Sequence, residues 1–455
     1  MGKEPKSLRL HVPVSAVPGI GWPAIPGPRE ATILALQQQL ERSQWWPEEV
    51  LRKMQLHQLQ PLLAHARKSV SFYHDRLGAI AGLRPGDLGF EAWRDIPILS
   101  RRDIQDAGSA LFSNSLPKEH GPLGQIHSSG STGRPIMVKT TRITGLFFAA
   151  LNLRYHLWHE RDFSAKTVKI TRPRPTDGKD RPVGWVPGYR SGPMVSFDVN
   201  KTVDKQVDWL VDNKPGYLLT YPTNLQAILN HCRKTGIKFP HLKSVATMGE
   251  ILTPEIRKNC KRDWGLEVSD AYSAMEVGMI AIQCPEHPHY HVQSESLLVE
   301  ILDDAGKPCR PGEVGRIVVT DLHNFAMPLV RYEIGDFAEV GEPCACGRGL
   351  PVLSRILGRT RNLLLMPSGE KTWPVFSGRL TRDFPELSQF QLIQRTPERI
   401  EVMLVAKQPL SADREEALRG VLGEELLHDF DFRIIYVDDI PRSAGGKFED
   451  FQSDI

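Results

Sequence analysis

The chain has 455 residues, more than one hydrophobic core usually supports, so we expect two or more domains. Its 57 Lys and Arg against 54 Asp and Glu leave a formal charge of +3, too close to balance for an electrostatic nucleic-acid binder. No apolar run approaches the roughly 18 residues that a membrane-spanning helix needs. No signal-type apolar segment follows the N-terminus, and the six cysteines are too scattered for a secreted disulfide framework, so we expect a cytoplasmic protein.

A Pro-rich arm over residues 1–45 precedes the first strong helical pattern. Apolar residues recur at helical spacing from Val50 to Leu63, which predicts an amphipathic helix. Pro61 is expected to bound that helix, because proline removes an intrahelical hydrogen bond.

Residues 46–358 have the pattern of one large α/β domain. The runs "YLLTYP" and "LKSVATMG" each precede a helical pattern, and this alternation is typical of a parallel sheet covered by helices. Beyond Gly306 the chain changes to β-branched runs with turn glycines, such as "GEVGRIVVTDL". We therefore expect a β subdomain at about 300–358 within the large domain.

The last part of the chain, 359–455, has a pattern of its own. Three strand-like runs, "QFQLIQ", "RIEVMLV" and "FRIIYV", accompany a helical segment at about 412–427. Such a unit is large enough to fold alone. The sequence thus predicts a small C-terminal α+β domain beside the larger α/β domain.

The stretch "IHSSGSTGRP" at 126–135 combines glycines with hydroxyl side chains. Glycines let backbone N–H groups approach an anion closely, so the composition suits a phosphate site as well as a flexible linker. A Walker loop requires Gly-Lys-Ser/Thr, whereas Gly133 is followed by Arg134 and Pro135. The pattern therefore excludes a Walker-type phosphate loop and leaves the two other interpretations open.

Taken with motifs further along the chain, "SSGSTGRP" resembles the phosphate loop of the adenylate-forming superfamily of acyl-CoA synthetases and peptide-synthetase adenylation domains. Five more motifs follow in the order of that family: "MGE", "AYSAMEVG", "VRYEIGD", "ILGRTRN" and "PRSAGGKF". The runs "DIPILSRRDI" and "CACGRGLP" and the Cys284 region are similar to the phenylacetate-CoA ligase and CapK-like branch. The resemblance extends from about Trp46 to the C-terminus and implies a large adenylate-forming domain with a mobile lid.

The resemblance implies a set of catalytic groups for ATP chemistry. Glu276 would hold Mg²⁺, Arg359 would assist at the ribose or phosphate, and Lys447 on the lid would stabilise the α-phosphate. The β- and γ-phosphates would be wrapped by Ser128, Ser129, Gly130, Ser131, Thr132 and Gly133. Each of these residue types also occurs on ordinary surfaces and turns.

The resemblance also implies contacts to the nucleoside and the acid. Tyr272 would stack on adenine near Gly249 and Glu250, and Asp336 would accept both ribose hydroxyls. Tyr221 is expected near the carboxylate of the substrate acid. An isolated tyrosine is more often a core residue, and Gly-Asp is a common turn, so these roles depend on the order of the motifs.

Cysteine and histidine form a second constellation. Cys284 and the pair Cys344 and Cys346 supply three thiols, and one imidazole would complete a closed tetrahedral zinc site of structural type. His291 is the favoured fourth ligand, with His287 as the alternative. The resemblance supports this site, because phenylacetate-CoA ligase-like proteins often carry one, while ordinary buried thiols remain the other interpretation.

Three features depart from the family pattern. Met275 replaces the usual hydroxyl residue before Glu276, the hinge at 358–362 has no acidic residue, and Glu449 and Asp450 stand where basic residues are common. None of these changes removes a residue assigned to ATP. Met275 removes a hydroxyl expected on the adenylate phosphate. The other changes concern the hinge that rotates the lid for the second half-reaction, and so weaken the case for coenzyme A as acceptor.

Together these features predict an ATP-dependent carboxylic acid ligase that forms acyl-AMP and then transfers the acyl group to a thiol, with coenzyme A favoured. An amine or a carrier protein is the alternative acceptor, and a zinc-containing binding protein without catalysis is the alternative of another class. We expect ATP, Mg²⁺ and structural Zn²⁺ as ligands, and a homodimer is compatible with the sequence. The sequence does not identify the acid.

Overall fold

The protein, seen here as a computed structural model, is described at residues 11–80, 88–127, 135–173, 184–359, 362–374, 376, 379–442 and 448–455. The sequence candidates Ser128 to Gly133 and Lys447 lie outside these residues. The α-helices are α1 Pro28–Ser43, α2 Glu48–Ser69, α3 Tyr73–Arg76, α4 Phe90–Arg94, α5 Arg101–Ala107, α6 Arg142–Trp158, α7 Val203–Asn213, α8 Pro222–Thr235, α9 Pro254–Trp264, α10 Arg379–Asp383 and α11 Ala412–Leu426. The strands are β1 Leu123–His127, β2 Met137–Thr141, β3 Thr167–Thr171, β4 Met194–Asp198, β5 Tyr217–Thr220, β6 Ser244–Met248, β7 Val268–Ala274, β8 Gly278–Gln283, β9 Tyr290–Val292, β10 Leu297–Leu302, β11 Val314–Asp321, β12 Tyr332–Val340, β13 Val352–Arg359, β14 Leu364–Leu365, β15 Lys371–Thr372, β16 Leu387–Gln394, β17 Arg399–Ala406, β18 Asp431–Tyr436 and β19 Phe451–Ser453.

An eleven-stranded sheet organises the large part of the molecule, in the order β10-β11-β12-β13-β9-β8-β7-β6-β5-β3-β4. From β4 to β7 in this order the strands are parallel, and helices α7, α8 and α9 connect β4 to β5, β5 to β6 and β6 to β7. The predicted strand-helix units are β5 with α8 and β6 with α9. The α/β fold class is thereby confirmed.

The strands from β8 to β13 pair antiparallel. The predicted β-rich segment at about 300–358 is present, and β13 joins it to the main sheet because Val352 pairs with His291 in β9. Its inner face shares one hydrophobic core with α2 and α5. The β-rich segment therefore continues the large sheet and is covered by N-terminal helices.

Two features of the N-terminal region differ from the sequence expectation. The arm at 1–45 contains α1, which packs on α6 and buries Ile33 and Leu40. The expected boundary at Pro61 is wrong, because α2 continues through that residue to Ser69. Pro61 and His57, whose carbonyl loses its helical donor, both lie on the exposed side, where water can compensate, while the opposite side of the helix is buried.

The C-terminal part has a separate four-stranded sheet in the order β18-β17-β16-β19. Helices α10 and α11 cover it and share its core with Leu392, Val402, Leu418 and Phe451. These elements confirm the predicted α+β pattern, and this part is called the lid below. Among the helices in the described ranges, none is long and apolar enough to cross a bilayer.

Candidate active site

Two residues of the predicted nucleotide site, Tyr272 and Arg359, converge on the carboxylate of a third, Asp336. The Tyr272 hydroxyl at the end of β7 donates to Oδ2 of Asp336 at 2.6 Å. Asp336 on β12 is the register partner of Arg359 on β13, and Arg359 Nε lies 3.5 Å from Asp336 Oδ1. Burial and the charge of Asp336 raise the pKa of Tyr272 well above its ordinary value, so the phenol remains a hydrogen-bond donor. The structure thus brings Tyr272 to Asp336, 64 positions further along the chain, at an acceptor that suits ribose hydroxyls.

Glu276 lies in the turn between β7 and β8 with its side chain only 8% exposed. Arg101, the first residue of α5, places Nη1 3.4 Å from Oε1 of Glu276. The position of Arg101 is fixed by a capping box in which Ser100 and Asp103 bond each other's backbone N–H groups. Arg101 lies in the run "DIPILSRRDI", which contributes to the family resemblance, but the sequence assigned this residue no role. Nothing in a single sequence shows that Arg101 contacts Glu276.

Glu250 and Gly249 follow β6. Gly249 has φ +82°, which a side chain would strain, and it turns the chain so that Glu250 reaches the lid. The Glu250 carboxylate accepts hydrogen bonds from Thr223 on α8 and from the backbone N–H of Phe448. In the sequence, Phe448 directly follows Lys447, so Glu250 holds the residue next to the predicted catalytic lysine.

Tyr221, the predicted substrate contact, is the residue before α8. Its side chain is 6% exposed in the core beneath α8, and its hydroxyl accepts the backbone N–H of Arg172 at 3.4 Å. The contact to the acid remains a prediction. The predicted phosphate loop joins β1 to β2, which pair antiparallel from Leu123 with Thr141 to His127 with Met137.

The predicted metal residues also come together. Ligand atoms of Cys284, His289, His291 and Cys344 lie within 4.8 Å of one another. The Cys346 Sγ atom lies 3.5 Å from Nε2 of His291. The sequence favoured His291, with His287 as the alternative imidazole, and gave His289 no ligand role; the structure places His289, the residue before β9, in the cluster.

The distances in this cluster fit zinc. The Cys284 and Cys344 sulfurs are 3.9 Å apart, and two thiolates at ~2.3 Å from a tetrahedral zinc would lie about 3.8 Å apart. The 3.5 Å separation of Cys346 Sγ from His291 Nε2 likewise matches the roughly 3.6 Å expected for a sulfur and a nitrogen ligand. His291 Nδ1 lies 3.4 Å from the Leu350 carbonyl, and a hydrogen bond there leaves Nε2 free for a metal.

Two protein families match this chain, one over the large domain and one over the lid. The family described as AMP-binding enzyme matches residues 89–327, and the family described as CapK C-terminal domain matches residues 370–453. Phenylacetate-coenzyme A ligase of Thermus thermophilus is 28% identical over 408 residues, covering 84% of this chain and 86% of that protein.

Two solved structures of 2-hydroxyisobutyryl-CoA ligase resemble the fold to different degrees. The postadenylation state in complex with 2-HIB-AMP gives a TM-score of 0.72 at 18% identity, covering 91% of this chain and 92% of that chain. The thioesterification state in complex with 2-HIB-AMP and CoA gives 0.60 at 17% identity, with the same coverage of both chains.

The fold and these matches define the class as an adenylate-forming ligase. The chain belongs to the AMP-binding enzyme family, whose match spans more than half of its length. With its CapK C-terminal domain and its phenylacetate-coenzyme A ligase relatives, it lies in the phenylacetate-CoA ligase and CapK-like branch. The resemblance indicated by the motifs is confirmed.

Proposed function

We propose that this chain joins an organic carboxylic acid to coenzyme A in two steps. A carboxylate oxygen first attacks the α-phosphorus of ATP, the bond to the β-phosphate breaks, and pyrophosphate leaves as acyl-AMP forms. The thiol sulfur then attacks the acyl carbon, AMP leaves, and the thiol proton is released. The convergence of Tyr272 and Arg359 on Asp336 is the observation that carries this proposal.

Asp336 would bind the ribose hydroxyls and Arg359 the ribose or a phosphate, which fixes the α-phosphorus relative to the acid. Glu276 fits Mg²⁺ because its carboxylate oxygens are hard ligands, and the metal ion would share this carboxylate with Arg101. When bound, the metal ion would neutralise phosphate charge that otherwise repels the acid. Lys447 would stabilise the charge that develops on the α-phosphate.

Coenzyme A is the acceptor best supported by the relatives, because each of the two proteins compared above is a CoA ligase by name. The non-acidic hinge keeps an amine or a carrier-protein thiol as the alternative acceptor. The whole chain resembles the postadenylation state of 2-hydroxyisobutyryl-CoA ligase more than its thioesterification state. This agrees with a lid docked for the first half-reaction.

We infer an apolar acid from the surface beside Glu276. Met275 is 51% exposed and Phe148 47% exposed, and both are close to the turn that carries Glu276 and Gly278. A Cβ atom at Gly278 would lie 3.4 Å from Cδ2 of Phe148, so the glycine leaves space against the ring. An aromatic or branched aliphatic acyl group would cover these side chains.

We also propose that the cysteine and histidine cluster holds structural zinc. Cys284, Cys344, Cys346 and His291 are the favoured ligands, with His289 able to replace one of them. The site would join the loop after β12 to β8 and β9, and it would stabilise the sheet without contacting substrate.

Acid-dependent exchange of pyrophosphate into ATP, measured over a panel of aromatic and aliphatic acids, tests the proposal. We expect exchange with a subset of apolar acids and a loss of about a hundredfold or more in Lys447→Ala. Mass spectrometry of reactions with coenzyme A or amines then identifies the acceptor. Exchange with no acid would favour a zinc-containing binding protein, and an amide without thioester would replace coenzyme A by an amine.

A further inference from the structure

Glu250 lies where the large domain meets the lid. Its Oε2 atom accepts the backbone N–H of Thr223 at 3.0 Å and the Thr223 hydroxyl at 2.7 Å. Its Oε1 atom accepts the backbone N–H of Phe448 at 2.9 Å. The two oxygens of one carboxylate are therefore bonded to different domains, Thr223 at the start of α8 and Phe448 in the lid.

Arg442 completes this contact from the lid. Its Nη1 atom donates to the Thr223 hydroxyl at 3.3 Å and lies 3.6 Å from Oε1 of Glu250. The Thr223 hydroxyl accepts from Arg442 and donates to Glu250, so the three side chains form one network. The Glu250 side chain is 5% exposed, and charge-assisted hydrogen bonds shielded from water are stronger than exposed ones.

The two lid contacts bracket residues 443–447 in the sequence, the segment that contains Lys447. Arg442 and Phe448, on either side of this segment in the sequence, are both held against the large domain. Ile251, the residue after Glu250, packs against the end of β13, the strand that leads into the lid: a Cβ on Gly358 would lie 2.8 Å from its Cδ1 atom. The loop after β6 thus contacts both the connection into the lid and the lid itself.

We propose that Glu250, Thr223 and Arg442 form a latch that docks the lid for acyl-AMP formation, with Glu250 and Arg442 as positioning residues for Lys447. The proposal rests on the proposed function, which assigns Lys447 to the first half-reaction. A lid that turns for the second half-reaction has to break these contacts, so the latch favours only the first. This gives Glu250 a role other than the adenine contact expected from the motif.

Measuring the two half-reactions separately tests the latch. Arg442→Gln and Glu250→Gln are each expected to lower kcat for pyrophosphate exchange about tenfold, with less change in the KM for ATP. Acyl transfer from chemically prepared acyl-AMP to coenzyme A should be unchanged or faster in Arg442→Gln. The matched controls are Arg399→Gln and Glu386→Gln, which remove exposed ion pairs inside the lid and should change neither rate.

The double variant of Glu250 and Arg442 separates a latch from two independent roles. If the two residues act together, kcat for pyrophosphate exchange in the double variant should fall no further than in the more strongly affected single variant. Additive losses, equal losses in both half-reactions, or a raised KM for ATP with unchanged kcat in Glu250→Gln would overturn the latch.

Hydrogen exchange by mass spectrometry provides a readout that does not require activity. In the full chain without substrates, peptides containing Phe448 should exchange faster in both variants than in the unmodified chain and the two controls. Unchanged exchange would overturn the latch even if the ligase reaction is established. Faster exchange in a chain that shows no pyrophosphate exchange would support the docking contact while the proposed function fails.

Discussion

The guanidinium of Arg101 lies 3.4 Å from the Glu276 carboxylate, although 175 positions separate the two residues. The side chains are 22% and 8% exposed, so this is a largely buried ion pair. Removing one partner of such a pair leaves an uncompensated buried charge, which is more destabilising than the pair is stabilising. Arg101 therefore stabilises the carboxylate that is proposed to hold the metal ion.

Replacing Arg101 by Gln is expected to lower the midpoint of thermal unfolding and the kcat/KM for ATP. The free energy of unfolding should fall by up to about 3 kcal/mol without magnesium, because Glu276 loses its counter-ion. Mg²⁺ with ATP should restore part of this loss, since the metal supplies positive charge at the same carboxylate. Thermal unfolding with and without Mg²⁺-ATP measures the loss of stability and its partial recovery. Steady-state kinetics with varied ATP measures kcat/KM.

Arg102→Gln is the matched control for Arg101→Gln, because the Arg102 side chain is 89% exposed and pairs only loosely with Asp106 at 3.6 Å. It should change neither stability nor activity. An equal loss in the two variants, or a deficit in Arg101→Gln that magnesium does not reduce, would contradict the assigned relation to Glu276.

Asp336→Asn is expected to raise the KM for ATP about tenfold or more and to leave the KM for the acid nearly unchanged. The amide accepts at one atom only, so it cannot receive both ribose hydroxyls and compensate Arg359. Steady-state kinetics with varied ATP and varied acid separates the two constants. Glu333→Gln on the same strand is the control, and similar effects in both variants would argue against ribose recognition by Asp336.

Cys346→Ser is expected to reduce the metal content from about one zinc ion per chain and to lower the midpoint of thermal unfolding. Elemental analysis of protein purified without added metal or chelator measures the first effect. Cys309→Ser is the control, because Cys309 is a partly buried thiol outside the cluster. Equal zinc content in the two variants, or negligible zinc in the unmodified chain, would contradict the site.

Local pattern was enough to predict the repeated strand-helix units and the α+β lid. The sheet contacts around β9 bring together Cys284 and Cys344, which are 60 positions apart in the sequence, and here a family pattern supplied what spacing could not. At Pro61 the local pattern gave a wrong prediction. The helix α2 continues through this residue because burial of one side of the helix outweighs the local cost of proline.

Contacts that a carboxylate makes with residues far away in the sequence could not be predicted from the sequence. The pairing of Arg101 with Glu276 and of Glu250 with Phe448 depends on how α5 and the lid pack against the sheet. No periodicity or spacing in one sequence reports such packing. Glu276, Glu250 and Phe448 lie within the family motifs, so motif order identifies the region of the site while the structure identifies the partners.

Asp321 provides a pH-dependent prediction. Burial raises the pKa of Asp321 from 3.8 to about 6, although the backbone N–H of His323 donates to it at 2.9 Å. The pKa of Asp321 is thus higher in the folded protein than in the unfolded chain. The contribution of Asp321 to the free energy of unfolding is therefore fully present below pH 3.8, and it is lost as the pH rises through about 6. At pH 8 the ionised, buried carboxylate costs up to about 3 kcal/mol, and at pH 3.5 it costs almost nothing.

Asp321→Asn should therefore raise the free energy of unfolding at pH 8 and leave it nearly unchanged at pH 3.5, since the amide keeps an acceptor for His323 without a charge. Denaturant unfolding at several pH values measures the difference. Asp304→Asn is the control, because the Asp304 side chain is 86% exposed and its charge is well solvated. A constant destabilisation of Asp321→Asn across the pH range would show that the carboxylate is needed as an acceptor and that its burial does not govern stability near neutral pH.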